Sequence, residues 1–444
     1  MSRAPIDRRP EVEAAFVVHP VLPRATSVRD PQARLAEAIG LAEALDLDVK
    51  DGEVAQLRRT TPATLFGGGK VEDMAGRIEE LGATVVVVDG LISPVQQRNL
   101  ERGLNAKVVD RTGLILEIFG RRARTREGKL QVELARLEYE RSRLVRTWTH
   151  LERQRGGLSK TGGPGETQIE LDRRQIADRI VRLKAELEEV RRTRTLHRTQ
   201  RKKVPYPTVA LVGYTNAGKS TLFNRLTAGG VEAKDMLFAT LDPTLRQMAL
   251  PGGRPAMLSD TVGFISDLPH ELVEAFRATL EEVQEADVIL HVRDIANPDT
   301  EAQAHDVRDV LRQLNVGEDR KVIEVWNKLD LLDFHERAAA ETRGGRAGGV
   351  PVAAVSAVTG DGLPELLQVI AAQVDDAPEV EALVPAGEGE AVAWLYQHGR
   401  VIRRDDEESG ATRVTVKLND QALGRFERLF PTSEINSDAP SVLS

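Results

Sequence analysis

Two apolar runs of strand length, Ala14 to Leu22 (AAFVVHPVL) and Thr84 to Asp89 (TVVVVD), stand out near the start of the chain. Ala33 to Leu47 and Val71 to Leu81 instead repeat their apolar positions at amphipathic helical spacing. Alternation of the two patterns predicts a small α/β domain over residues 1–125.

From Leu130 the period changes. Leu130, Leu134, Leu137, Leu144, Trp148 and Leu151 form one heptad seam, and Ile169, Ile176, Ile180, Leu183, Leu187 and Val190 form a second. The segment 156–168 between them (GGLSKTGGPGETQ) is too rich in Gly and Pro to continue a helix. Residues 126–203 therefore predict an antiparallel helical hairpin, each arm roughly 35 Å long at 1.5 Å per residue. Beyond Val204-Pro205-Tyr206-Pro207, strand and helix patterns alternate as in an open, doubly wound, mostly parallel sheet, giving a third domain at 204–382. Ala391 to Tyr396 and the alternating run Arg413 to Leu418 suggest a small α+β domain at 383–444, whose function the pattern does not reveal. The expected fold class is thus multidomain α/β.

Composition narrows the chemistry. The 444 residues include no cysteine, which excludes disulfides, thiolate nucleophiles, iron–sulfur clusters and Cys-based zinc sites, and suits a reducing cytoplasm. No stretch of 18 apolar residues occurs and the opening MSRAPIDRRPEVEAAF lacks the apolar core of a signal peptide, so neither membrane spanning nor export is expected. Net charge is −8, yet Arg121 to Lys203 carries 24 basic and 12 acidic side chains, a local +12. Such a segment is either a solvated helical surface or a contact surface for a phosphate backbone.

The chemistry is carried by Gly213-Tyr214-Thr215-Asn216-Ala217-Gly218-Lys219-Ser220, which follows the strand-like Thr208 to Val212 and precedes a helix. This is the phosphate loop G-x-x-x-x-G-K-S in its strand–loop–helix setting. Its backbone N–H groups can wrap phosphates, Lys219 can reach the β and γ oxygens, and Ser220 can ligate Mg²⁺. Downstream, Asp260-Thr261-Val262-Gly263 puts an Asp at a strand end, able to hold the magnesium shell, and a glycine able to sense a γ-phosphate. Asn327-Lys328-Leu329-Asp330 fits guanine selection, because the Asp330 carboxylate can accept from N1–H and the 2-amino group together. Ser356-Ala357-Val358-Thr359-Gly360 is placed to meet guanine O6 through backbone N–H groups, with Ser356 and Ala357 as the expected site residues. Between the loop and Asp260 lies Leu237-Phe238-Ala239-Thr240-Leu241-Asp242-Pro243-Thr244, the position of a segment ordered by γ-phosphate and Mg²⁺. Thr240 and Thr244 are both candidate ligands, with Thr240 preferred. Lys219, Thr240 and Gly263 are the expected catalytic residues. Phe66-Gly67-Gly68-Gly69-Lys70 resembles a phosphate-loop fragment, but Val71 stands where Ser or Thr would be needed; it is read as a turn, the alternative being a second phosphate site.

The whole chain resembles the HflX family of ribosome-associated GTPases. The resemblance rests on Gly163-Pro164-Gly165-Glu166-Thr167-Gln168 with Glu170 and Asp172-Arg173-Arg174, on the preceding 151–157 (LERQRGG) and 125–134 (TREGKLQVEL), and on the switch segments Phe238 to Asp242 and Asp260 to Phe264. It implies GTP and GDP as ligands, Mg²⁺ as cofactor, and binding of the large (50S) ribosomal subunit and its rRNA. It further implies that the hairpin tip, with Gly157, Lys160, Gly163, Pro164, Gly165, Arg173 and Arg174 as contacts, lies near the peptidyl-transferase centre, and that stalled ribosomes are split. It supports Thr240 as the magnesium ligand, with Asp260 acting through water, and allows some ATP use through the N-terminal region. A cytoplasmic monomer is expected. The tip departs from the family's more apolar or Gly/Arg stretch at Leu158-Ser159-Lys160-Thr161. Two functions compete: a GTP-driven splitting factor, and a large-subunit assembly factor with a slow GTPase. An ATP-driven RNA remodeller is disfavoured by Asp330. Phe264 occupies the position where many small GTPases place a Gln that orients the attacking water, so slow intrinsic hydrolysis is expected, assisted by a partner or by a residue such as His270.

Overall fold

The computed structural model describes residues 12–23, 29–154, 164–201, 206–227, 237–238, 240–241, 244–251, 255–266, 282–314, 316, 320–344, 349–374, 379–407, 409–418 and 420–436. It divides into two compact units, Met1–Leu366 and Leu367–Ser444.

In the larger unit, β1 (Ala14–Val21), β2 (Asp48–Gln56), β3 (Val85–Val88) and β4 (Lys107–Asp110) form a parallel sheet of order β2-β1-β3-β4. The central strands β1 and β3 are covered on both faces, which is why they read as continuous apolar runs, whereas edge strand β2 does not. Phe16, Val18, Val86 and Val88 pack with Val71, Met74 and Ile78 of α2 (Gly68–Leu81) and with Leu100 and Leu104 of α3 (Pro94–Leu104). Ala15, Val17, Val85 and Val87 pack with α1 (Pro31–Glu43) and α4 (Arg111–Arg122). Helix starts follow local chemistry. Asp30 caps α1 ahead of Pro31, Ser93 and Gln96 make a reciprocal capping box ahead of Pro94 in α3, and Asp110 accepts from Gly113 N at 2.8 Å in α4.

The predicted hairpin is α5 (Arg126–Gln154) and α6 (Pro164–Arg201). Leu130 and Leu134 meet Ile180, Leu183 and Leu187, with Leu137, Ile176 and Val190 alongside, so the seams pair at the base as their heptads require. Helix α6 already begins at Pro164, inside the stretch expected to be non-helical, because proline at the first helical position loses no hydrogen bond and its φ is preset. Residues 155–163, including Gly157, Lys160 and Gly163, lie outside the described residues. Asp110 anchors the base: Tyr139 Oη donates to it at 2.7 Å and Arg143 at 3.0 Å.

The second sheet has order β10-β9-β8-β5-β7-β6. It comprises β5 (Thr208–Gly213), β6 (Thr244–Ala249), β7 (Pro255–Asp260), β8 (Val288–Asp294), β9 (Lys321–Asn327) and β10 (Val352–Ala354). Only β6, at the edge, is antiparallel. The first α/β region keeps a core of its own on the α2–α3 face of its sheet, but its other face shares one with the second region. One apolar cluster runs from Leu114, Ile115 and Phe119 to Val212, Phe238, Leu241, Val262 and Phe264, with Phe119 and Phe238 edge to face at 4.6 Å.

A polar network crosses the same seam. Arg111, 3% exposed, donates to Asp89 Oδ1 at 2.5 Å, to Glu37 and to the Ser266 carbonyl at 3.2 Å. Burial disfavours its charge, but Asp89 and Glu37 outweigh that and hold its pKa above the usual arginine value. Burial likewise disfavours the Asp89 carboxylate, yet His19, Arg111 and Arg34 pull its pKa down to about 2.

In the second unit, β11 (Glu379–Val384), β12 (Arg400–Asp406), β13 (Thr412–Lys417) and β14 (Glu434–Asn436) form a sheet of order β12-β13-β11-β14. Helices Gly389–His398 and Asp420–Leu429 supply Ala391, Leu395 and Phe426 to its core. This sheet takes in residues 379–382, which the sequence reading leaves with the preceding domain. Val380, Ala382 and Val384 alternate into the core, and the short run gives no helical or turn signal of its own. Among the described residues, no helix is long and apolar enough to cross a membrane.

Replacing Arg111 with Met should cost about 3 kcal/mol, because it removes the buried cation shared by Asp89 and Glu37, which keep only their remaining partners. Urea denaturation of the variant and parent checks this; an unchanged midpoint would contradict it.

Candidate nucleotide site

Strand β5 delivers Gly213 at its end, and helix α7 (Lys219–Leu226) starts at Lys219. The loop between them is dictated by close approach. A Cβ on Gly218, at φ +90°, would lie 2.2 Å from Asn327 Nδ2, and one on Gly213 would lie 2.2 Å from the Val292 carbonyl oxygen. Asn216 adopts φ +59°, and Ala217 is buried with its carbonyl accepting from Asn327 Nδ2 at 2.8 Å. Lys219 is buried, and its Nζ donates to the Gly213 and Tyr214 carbonyls at 3.0 and 2.8 Å. Burial pulls its ammonium down to about 8 against the opposing attraction of Asp260.

Beside it three side-chain oxygens converge. Ser220 Oγ lies 2.9 Å from Thr240 Oγ1 and 2.8 Å from Asp260 Oδ2, and Thr240 Oγ1 lies 2.9 Å from Asp260 Oδ2. Burial pushes the Asp260 carboxyl up, partly offset by Lys219 and by hydrogen bonds from Ser220 and Thr240. The alternative threonine, Thr244, begins strand β6 in register with Asp260. Gly263 abuts the phosphate loop: a Cβ there would sit 2.9 Å from Thr215 Cγ2 and 3.1 Å from Lys219 Nζ.

The remaining expected residues divide by where their side chains go. Phe238, Leu241 and Val262 are buried in the apolar cluster, and Thr261 Oγ1 is bound to the Leu211 carbonyl at 2.6 Å. Thr215 N donates to the Phe264 carbonyl at 2.7 Å. Tyr214 sends its hydroxyl into the seam, where Arg29 and Ser266 N donate to it and it donates to Glu37 at 2.5 Å. Burial first, and Glu37 next, push its phenol up to about 12. Ala239, Asp242 and His270 lie outside the described residues. Phe264 is 1% exposed, its ring in the core and its N–H bound to the Gly213 carbonyl at 3.1 Å.

At the far end, Asn327 Oδ1 accepts from Ala357 N at 3.0 Å while its amide holds Ala217, so one side chain ties the phosphate loop to the segment at 356–360. Asp330, exposed, accepts from buried Ser356 Oγ at 2.5 Å. Leu329 is buried, and Lys328, at φ +68°, pairs with Asp294 at 2.8 Å. The glycine-rich fragment begins α2 at Gly68, and Lys70 pairs with Glu53 at 2.8 Å. On the hairpin, Arg173 and Arg174 are exposed, and Pro164 and Gly165 open α6. The seam residues Arg29, Glu37, Arg111 and Ser266 carried no sequence signal, since their partners lie up to 277 positions away.

A phosphate loop, a converging oxygen triad and an Asn–Asp pair at one rim make up the frame of a guanine-nucleotide enzyme. Four family models match in series: GTP-binding GTPase N-terminal at 32–120, GTP-binding GTPase Middle Region at 122–201, 50S ribosome-binding GTPase at 208–328, and HflX C-terminal domain at 345–438. GTPase HflX of Magnetococcus marinus is 50% identical over 417 residues, 94% of each chain. GTPase HflX of Lacrimispora saccharolytica is 44% identical, covering 86% of this chain and 88% of its own, and that of Escherichia coli K12 is 41% identical, covering 93% and 95%. The chain belongs to the GTPase HflX family. It is a GTP-hydrolysing enzyme. The HflX C-terminal model spans both the end of the nucleotide-binding sheet and the separate tail sheet, so the family match, unlike the local motifs, reaches the last strand.

Asp330→Asn should weaken GTP binding by about 2 kcal/mol, because the amide cannot accept from both guanine donors. Equilibrium titration with a fluorescent GTP analogue checks this; unchanged affinity would remove Asp330 from the base site.

Proposed function

We propose that this HflX-family GTPase is a GTP-driven switch that binds the large ribosomal subunit through its basic hairpin and splits stalled ribosomes. The observation that carries the switch is the convergence of Ser220, Thr240 and Asp260. It joins the phosphate loop, the 237–244 segment and the end of β7 at one point. The set suits magnesium: its donors are hard oxygens, and Asp260 Oδ1 is buried without a hydrogen-bond partner. Ser220 and Thr240 would hold the ion directly and Asp260 through water. Bound there, magnesium supplies positive charge to the β- and γ-phosphates. Lys219 adds a second cation, Gly263 offers its N–H to the γ-phosphate, and the loop amides orient the chain of phosphates. Loss of the γ-phosphate removes what draws the segments of Thr240 and Gly263 together, which releases the partner.

Support for the ribosomal partner is chemical and familial. The hairpin region carries +12 in a chain of −8, suited to rRNA phosphates, and Asp110 fixes its base to the sheet. The matched GTPase model is described as ribosome-binding. The enzyme acts as a monomer in this reading.

Sedimentation of 70S particles after incubation with the protein and a non-hydrolysable GTP analogue should yield free subunits. Bound, intact particles would favour the assembly-factor reading instead. Replacing residues 156–163 with a short Gly linker should leave GTP affinity unchanged and abolish splitting; retained splitting would reduce the tip to a connector.

Phe264 cannot orient water, since its ring lacks a donor or acceptor and is buried. Single-turnover hydrolysis should therefore be slow alone and rise about 10³-fold with saturating 50S subunits. Equal rates would refute partner assistance, and a stimulation lost in His270→Ala would point to water positioning in cis.

A further inference from the structure

Guanine recognition in the reading above depends on backbone N–H groups of the segment at Ser356 to Gly360, which has only short stretches of regular structure to hold it. Its anchors are side chains from elsewhere. Asn327 takes the N–H of Ala357 at 3.0 Å. Ser356 Oγ takes the N–H of Thr359 at 3.1 Å and donates to Asp330. The third anchor comes from the phosphate-binding helix. Arg225, in the last turn of α7, donates through Nε to the Ala357 carbonyl at 3.1 Å and through Nη2 to the Val358 carbonyl.

These two contacts are unusual in kind. A planar guanidinium spends two donors on consecutive carbonyls, and a charged donor makes each bond stronger than a neutral one. Fixing the Ala357 carbonyl fixes the plane of the Ala357–Val358 peptide, and in a trans peptide the Val358 N–H must then point away from Arg225. Fixing the Val358 carbonyl does the same for the Thr359 N–H, which is the one bound to Ser356 Oγ. Since the Thr359 N–H is already taken, the donor whose direction the fork sets for a base is that of Val358. The fork does so from the helix whose other end, five residues earlier, carries Ser220.

We propose that Arg225 is a specificity-positioning residue: it orients the Ala357–Val358 peptide toward guanine O6 and thereby sets how fast guanine nucleotide is released. The proposal rests on the guanine-site reading of Asp330 and the segment Ser356 to Gly360. Arg225 touches neither base nor phosphate; it acts through the two carbonyls. Because it sits on the phosphate-binding helix and Asn327 holds the Ala217 carbonyl, the base-binding segment is tied to the phosphate loop at two points.

The test uses the full chain and stopped-flow release of fluorescent GDP, with equilibrium competition by GDP and ADP, on the parent, Arg225→Ala, Arg225→Lys and Asp330→Asn. Arg225→Ala should release GDP about tenfold faster, with ADP affinity unchanged within twofold, so that the GDP-to-ADP preference falls by the same factor. Arg225→Lys, keeping the charge but offering no fork, should fall between. Its side chain is exposed, and the thermal unfolding midpoint should stay put. GDP release unchanged in Arg225→Ala would overturn the proposal. Equal weakening of GDP and ADP would also overturn it, because that is the mark of a prop for the helix rather than a guide for the base. If Asp330→Asn keeps full guanine preference, the base-site reading itself fails and takes the proposal with it; if Asp330→Asn loses preference while Arg225→Ala does not, only the proposal fails.

Discussion

Burying the Arg111 guanidinium is the constraint around which the larger unit is arranged. A cation taken out of water is tolerated only when its charge and its donors are met. Asp89, at the end of β3, and Glu37, on α1, meet the charge. Its further hydrogen bonds go outside the first sheet, to the Ser266 carbonyl from Nε at 3.3 Å and Nη2 at 3.2 Å and to the Ser266 hydroxyl at 3.0 Å. One residue thus fixes the β4–α4 junction, a face of α1 and the chain just beyond Gly263 relative to one another. Its neighbour Asp110 caps α4 and grips Tyr139 and Arg143 of the hairpin. Consecutive residues, Asp110 and Arg111, thus hold the helical hairpin and the chain just beyond Gly263.

The nucleotide site shows the consequence. Its motif residues supply the chemistry, but much of their placement comes from groups outside the motifs. Tyr214 sits within the phosphate loop by sequence, yet its hydroxyl belongs to the seam with Arg29, Glu37 and Ser266. Asn327 belongs to a base-reading motif, yet both ends of its amide are bound to backbone, one in the phosphate loop and one in the 356–360 segment. A buried amide held at both its oxygen and its nitrogen in this way ties the phosphate loop to the 356–360 segment.

Phe264 shows how a missing functional group can be a packing solution. Its ring fills the cluster that joins the two α/β regions, and its backbone bridges to the phosphate loop through Gly213 and Thr215. With its ring committed to that apolar core, the position presents no polar side-chain group to the phosphate loop beside it.

Much was legible in the sequence because the determining physics was local. Strands at Ala14 and Thr84, the paired heptads, and the strand–loop–helix around Gly213 all follow from spacing and from glycines that alone permit close backbone approach. The meeting of Ser220, Thr240 and Asp260 was expected from motif order, and the structure places the three together. Other features had no local signature. Pro164 reads as a breaker in sequence but opens α6, because a proline at the first helical position loses no hydrogen bond. The alternating run at Glu379 is strand only because β13 and β14 flank it. Arg111, Tyr214 and Arg225 look like any arginine or tyrosine along the chain. Their roles depend on carboxylates and carbonyls up to 177 positions away, and only the tertiary fold, by burying a charge or exposing a carbonyl, decides which of many possible partners each must take.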